Sequence, residues 1–235
     1  MQESPITISW LGHSGFKIKY KDTTLLVDPW FEGNPMFPER EKVDVTSDCN
    51  FILLSHAHSD HASDSIKIAK ERNIPIVGMY DLMQFYEAEH NISSVGFNKG
   101  GTVQIGDFSI TMVSASHSSS FHHKDNFYYG GAEVGYMITT PEKTIYFSGD
   151  TDVMADMQIF GELHDPEIGI LCCGGHFTMD MKRAAYAAER FFNFKTIFPC
   201  HYKTFPLLEQ NADLLRDSLP GVEIIEADVL KEYIL

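Results

Sequence analysis

The chain has 235 residues, 43% of them hydrophobic, and a formal net charge of −15. That length supports one substantial core, so a single ordered domain over residues 1–235 is expected. The acidic balance, with Lys and Arg scattered, argues against a nucleic-acid partner, and no apolar run nears the ~20 residues that span a bilayer.

Ile6-Thr7-Ile8-Ser9-Trp10 alternates as a strand, and Leu11-Gly12-His13-Ser14-Gly15 turns. Phe16-Lys17-Ile18-Lys19-Tyr20 alternates again, and the apolar run 24–27 leads to Asp28-Pro29, a β-meander. An irregular loop to about Asp48 follows, long enough to suggest function. Phe51-Ile52-Leu53-Leu54 reads as a strand, 62–72 as a helix, and Ile74-Pro75-Ile76-Val77-Gly78 as a strand. Asp81 caps a helix running to 90. Residues 103–114 form a hairpin around Gly106-Asp107, followed by the polar break Ser116-His117-Ser118 and a loop over 121–131. Two strands, 134–139 and 144–147, end at Ser148-Gly149-Asp150. Helices over 153–163, 181–192 and 207–218 then alternate with strands over 168–171, 196–199 and 222–225. The pattern predicts two sheets packed face to face with helices outside.

His56-Ala57-His58-Ser59-Asp60-His61 places four potential metal ligands within six residues. Imidazole and carboxylate are groups that zinc, manganese and iron accept. A lone His117 or His201 would read as an ordinary core or surface histidine. Each, however, follows a strand-like run, as do Asp150 and His176, and strand ends converge at one rim in layered α/β folds. His56, His58 and His117 are expected to bind a first ion and Asp60, His61 and His201 a second. Asp150 bridges, its two oxygens spanning ions about 3.5–4 Å apart. Asp150 also suits a helix N-cap.

The start, Met1-Gln2-Glu3-Ser4-Pro5, has neither a basic stretch nor an apolar run after it, so no export leader is expected. Cys49, Cys172, Cys173 and Cys200 suggest no disulfide framework, so a cytoplasmic location is expected.

The motif set, His-x-His-x-Asp-His and then His, Asp and His, resembles the metallo-β-lactamase superfamily along the whole chain. Trp10-Leu11-Gly12-His13-Ser14, Asp28-Pro29 and Gly174-Gly175-His176-Phe177-Thr178-Met179 narrow the resemblance. It is to small single-domain metal-dependent hydrolases similar to ascorbate-6-phosphate lactonases and, more distantly, to N-acyl-phosphatidylethanolamine phospholipase D. The resemblance implies an α/β fold, a four-layer αββα sandwich of two mixed β-sheets with the site at one edge. It implies a binuclear hydrolase whose hydroxide, formed between two divalent cations, attacks an ester, lactone or phosphoester of a small molecule. Zinc is expected, with manganese or iron as alternatives.

Asp60 is expected to orient the nucleophile as well as bind metal, and His176, a departure from the subgroup's usual residue, to act at the site without binding metal. His13 is a substrate or supporting residue. The aromatic loop 118–131 is the expected substrate wall, a homo-oligomer is compatible, and no membrane partner is expected. Two competing readings are a di-iron redox protein and a non-catalytic metal-binding protein on the same fold.

Overall fold

Alternating apolar and polar residues fold the N-terminal stretch into an antiparallel meander of β1 (Ile6–Trp10), β2 (Phe16–Tyr20) and β3 (Thr23–Val27). The computed structural model describes residues 4–235, so the leader expectation falls partly outside the described residues. Beyond β3 the sheet becomes parallel. Helix α1 (Lys42–Thr46) leads to β4 (Phe51–Leu53). Helices α2 (Ser59–Ala62) and α3 (Ser65–Arg72) lead to β5 (Ile76–Met79), and α4 (Tyr80–His90) to β6 (Ser94–Phe97).

The second half repeats this order. A hairpin of β7 (Thr102–Ile105) and β8 (Phe108–Ser114) is followed by an outlying hairpin, β9 (Ser120–His123) and β10 (Asn126–Tyr129). Strands β11 (Val134–Thr139) and β12 (Thr144–Phe147) are antiparallel. Helices α5 (Asp156–His164), α6 (Met181–Phe191) and α7 (Asp213–Ser218) then feed the parallel strands β13 (Ile168–Cys172), β14 (Thr196–Cys200) and β15 (Glu223–Ile224). Finally β16 (Glu232–Ile234) returns to pair with β1. Two seven-stranded mixed sheets result, ordered β16-β1-β2-β3-β4-β5-β6 and β15-β14-β13-β12-β11-β8-β7.

The inner faces of the sheets share one apolar cluster that includes Ile8, Phe16 and Ile18 from the first and Ile110, Tyr136 and Phe147 from the second. Phe16 meets Phe147 edge to face, with centroids 6.4 Å apart. Outside the first sheet, Ile68 of α3 and Leu82 and Met83 of α4 share a second cluster with Ile52 and Ile76. Helix α6 is capped by Asp180, whose side chain accepts from the Arg183 N–H at 2.7 Å. It buries Ala184, Ala185, Ala187 and Ala188, small residues that allow close approach. This is the αββα sandwich.

Several local expectations are corrected. Asp81 lies inside the first turn of α4, and Met79 occupies the cap. The 62–72 helix is broken into α2 and α3 at Ser63-Asp64, because the Asp64 carboxylate turns away to accept from the backbone N–H groups of Phe31 and Glu32. The 207–218 helix begins only at Asp213. Residues 121–131 are largely a hairpin, turned by Lys124 and Asp125 at positive φ. Strands β6 and β16 were too short and too polar to show alternation.

One rim gathers the chemistry. Asp28 follows β3, His56 follows β4, His117 follows β8, Asp150 follows β12 and His201 follows β14. Two bonds tie the sheets there: the Tyr136 hydroxyl donates to the Leu54 carbonyl at 2.6 Å, and the Val134 N–H to the Ser55 carbonyl at 3.0 Å.

Candidate metal centre

Hydrogen bonds fix how the ligand loop presents its imidazoles. Asp28, held at φ 44° after β3, is fully buried. Its Oδ1 accepts from the Ser55 N–H at 2.8 Å, and its Oδ2 accepts from Ser55 Oγ at 2.5 Å and from His61 Nδ1 at 2.7 Å. Since Ser55 Oγ donates to Asp28, its 2.9 Å contact with His56 Nδ1 is one in which the imidazole donates. The outer nitrogens of His56 and His61 therefore hold the protons of the neutral rings, so that on deprotonation the Nε2 lone pairs face the cavity, an arrangement typical of metal-binding histidines.

The donor atoms fall into two principal groups, each within 4.8 Å: His56, His58 and His117, and then His13, Asp60, His61 and His201. In the first, His56 Nε2 stands 3.0 Å from His58 Nδ1, while His58 Nε2 contacts Ser118 Oγ at 3.3 Å. Asp150 Oδ2 lies between the groups, 3.6 Å from His117 Nε2, 3.2 Å from His61 Nε2 and 3.0 Å from His201 Nε2. Gly149 permits this placement: it sits at φ 59°, and a Cβ there would come within 2.4 Å of the Val134 carbonyl oxygen.

The groups differ in charge. Burial holds His56 well below the usual histidine value, and burial with neighbouring imidazoles lowers His58 and His117. Burial also pulls on His61 and His201, but there the carboxylates prevail. Asp150, Asp60 and Asp28 raise His61 well above its ordinary value, and Asp150 is the main group raising His201, to about 9. Against their own burial, Asp150 and Asp60 are held below the usual carboxylate range by these imidazoles.

Bound metal fits these residues. His61 Nε2, Asp150 Oδ1 and both ring nitrogens of His201 are buried without a hydrogen bond. The short contacts to Asp150 Oδ2 do not have hydrogen-bond geometry. Orphaned buried polar atoms are costly, and here they converge with lone pairs of a hard-to-borderline donor set.

All seven expected ligands thus meet at one place. His13 joins them: its Nε2 is 3.0 Å from Asp60 Oδ2, its Nδ1 2.8 Å from Thr204 Oγ1, and burial lowers it to about 4. A neutral His13 donates from Nε2 to Asp60. By contrast His176 stands outside both groups. The turn at Gly175, φ 88°, carries it to the surface, where its ring packs on Phe177, and Phe177 lies 6.4 Å from His201. Asp28, Ser55 and Thr204 were missed as supporting residues. For Asp28, the Asp-Pro step at a strand end was the available signal.

The family model described as a β-lactamase superfamily domain matches residues 23–202. A UPF0173 metal-dependent hydrolase of Paracoccus denitrificans is 54% identical over 224 residues, covering 95% of this chain and 97% of that protein. Another from Ruegeria sp. (strain TM1040) is 55% identical over 223 residues, with the same coverage. The chain belongs to this family. It is a metal-dependent hydrolase of the β-lactamase superfamily. Among solved structures, Igni18, a metallo hydrolase from Ignicoccus hospitalis, superposes with a TM-score of 0.86 at 24% identity over 98% of both chains. At that identity the likeness concerns the fold.

Two depressions flank the hydrolase's centre. On one side, a cleft of about 480 Å³ is lined by His58 and Asp60, by Ile66 and Phe85 from α3 and α4, and by Phe121 and Phe127 from the hairpin. A second, polar groove is lined by Ser116, next to His117 in the chain, and by Asp152, His176 and Arg183. The hairpin is anchored to the ligand loop. Ser119 Oγ accepts from the Ala57 N–H at 3.2 Å, and Gly130 approaches so closely that a Cβ would lie 2.3 Å from Ala57 Cβ.

Proposed function

We propose that this hydrolase cleaves an ester, lactone or phosphoester of a small molecule at a centre of two divalent cations, zinc first and manganese or iron next. The observation that carries the reading is Asp150 Oδ2 standing within 3.6 Å of imidazoles from both donor groups. His56, His58 and His117 would hold one cation and Asp60, His61 and His201 the other, with Asp150 shared. Bound there, such cations lower the pKa of a water toward about 7 and polarise the scissile oxygen.

The chain's own residues do the rest. Asp28 and Ser55 keep protons on the outer nitrogens of His61 and His56, so that in each neutral ring the inner nitrogen is the one that ligates. His13 aligns Asp60 through the 3.0 Å bond. The Asp60 side chain is 32% exposed and lines the apolar cleft, which suits it to accept a hydrogen bond from the attacking water. His176 lines the polar groove, where it can contact the departing group. The four cysteines are free and buried, which fits a reducing compartment such as the cytoplasm. No helix among the described residues is long and apolar enough to cross a membrane.

The test is a screen of lactones, phosphodiesters and thioesters on protein of defined metal content. His117→Ala should lower any genuine turnover by at least about 100-fold, as loss of an essential ligand does more than the 10–100-fold of an outer partner. Undiminished turnover in that variant would sink the proposal.

A further inference from the structure

The two depressions beside the centre are chemically unlike. The polar groove offers Ser116, His176, Asp152 and Arg183, and the last two are paired at 2.5 Å. The 480 Å³ cleft is walled by aromatic rings instead. Phe121 meets Phe85 edge to face at 4.9 Å and stacks on Tyr128 at 5.8 Å with planes 23° apart. These contacts stiffen the wall. Phe127 closes one side while remaining 72% exposed, an apolar surface that gains by being covered. Among the described residues neither Lys nor Arg lines this cleft. The nearby Lys124 is engaged by Glu89 at 2.6 Å. Its volume is that of sites taking drug-sized ligands, roughly 300–1,000 Å³, and it runs directly onto His58 and Asp60.

On the basis of the hydrolytic reading, we propose that this cleft seats an uncharged apolar acyl arm, so that the substrate is a carboxylic ester or lactone with such an arm. A charged phosphate-bearing arm would find no Lys or Arg there, only the imidazoles of His90, His122 and His123 among aromatic and aliphatic walls, in a chain of net charge −15. The acyl carbon lies toward His58 and Asp60, and the alcohol leaves toward the His176 groove. Water adds to the acyl carbon, the acyl C–O bond breaks with its electron pair going to the alkoxy oxygen, and that oxygen takes the proton. The products are a carboxylic acid and an alcohol from an ester, or a single hydroxy acid from a lactone, and no reactant besides water is consumed.

Binding and turnover test this separately. 2-Decanone and 2-butanone carry a carbonyl with a long or short apolar arm and no scissile bond. Calorimetric titration into the protein, with and without zinc, should show 2-decanone binding at least about tenfold tighter, since each buried methylene contributes up to about fourfold. Phe85→Ser and Phe121→Ser should each remove most of that ratio, and Phe121→Leu should restore it. On zinc-loaded protein, kcat/KM for p-nitrophenyl octanoate should exceed that for the acetate by a similar factor. Equal binding of the two ketones, or equal turnover of the two esters, overturns the apolar seat. Tight 2-decanone binding with no turnover of either ester supports the seat and counts against hydrolysis.

Discussion

The two donor groups of this centre are both built from strand ends and the loops beside them, yet they hold their protons differently. His56, His58 and His117 form an all-imidazole group pushed by burial toward the neutral state. His61 and His201 sit against Asp60, Asp150 and Asp28 and are pushed toward the charged state. One half is therefore ready to donate lone pairs at neutral pH, while the other is an ion-paired cluster that must release protons first. The halves should differ in affinity and in pH response, with Asp150 as the atom that couples them.

The largest effect tests that coupling. Asp150→Ala removes the carboxylate that stands between the inner nitrogens of both groups and leaves His201 without its nearest charge partner and His61 with Asp28 alone at close range. Metal content measured by mass spectrometry should fall for both cations, and turnover should be lost. If one cation remained bound with full affinity and turnover persisted, the halves would be independent.

Much of this centre was legible in the chain, for a physical reason. Each ligand follows a strand-like run, and in a two-sheet sandwich such ends share a rim, so His56, His117, Asp150 and His201 could be placed together without knowing any turn. What could not be read was the layer behind them. The bond from Asp28 to His61 depends on a left-handed backbone at residue 28, and Thr204 reaches His13 across 191 positions. The substrate side was equally hidden. The aromatic stretch after Ser118 was visible, but its hairpin pairing and its meeting with Phe85 of α4 are tertiary facts. His176 shows the opposite case: it follows a strand end in sequence, and a glycine turn takes it out to the surface.

A smaller effect sharpens the contrast between the halves. Asp28→Asn keeps the shape of the supporting side chain and changes what it asks of His61. An amide nitrogen facing His61 Nδ1 donates instead of accepting, so the ring proton moves to Nε2 and points into the cavity. Affinity for one cation should drop about 10–100-fold, the range for loss of an outer partner of a metal-bound histidine. The His56 group should lose less, because it contacts Asp28 only through Ser55. Zinc titrations against a competing chelator would resolve the two steps, and an equal loss at both would contradict the assignment.

The smallest effect, per unit of pH, follows from the protons themselves. His201, raised to about 9, is protonated in the metal-free protein at neutral pH. A cation entering its group must displace that proton, so apparent affinity there should strengthen as pH rises from 7 to 9, by at most about tenfold per unit for each proton released. The all-imidazole group lies below the usual histidine value of about 6.5 and is already deprotonated at pH 7, so its affinity should stay flat over the same interval. Stability of the metal-free protein runs the other way. A raised His201 adds stability that is complete below about 6.5, its unfolded value, and is lost as pH rises through about 9. Calorimetry in two buffers of different protonation enthalpy would count the protons released at each step. Release confined to one binding step would establish the asymmetry, and equal release at both steps would abolish it.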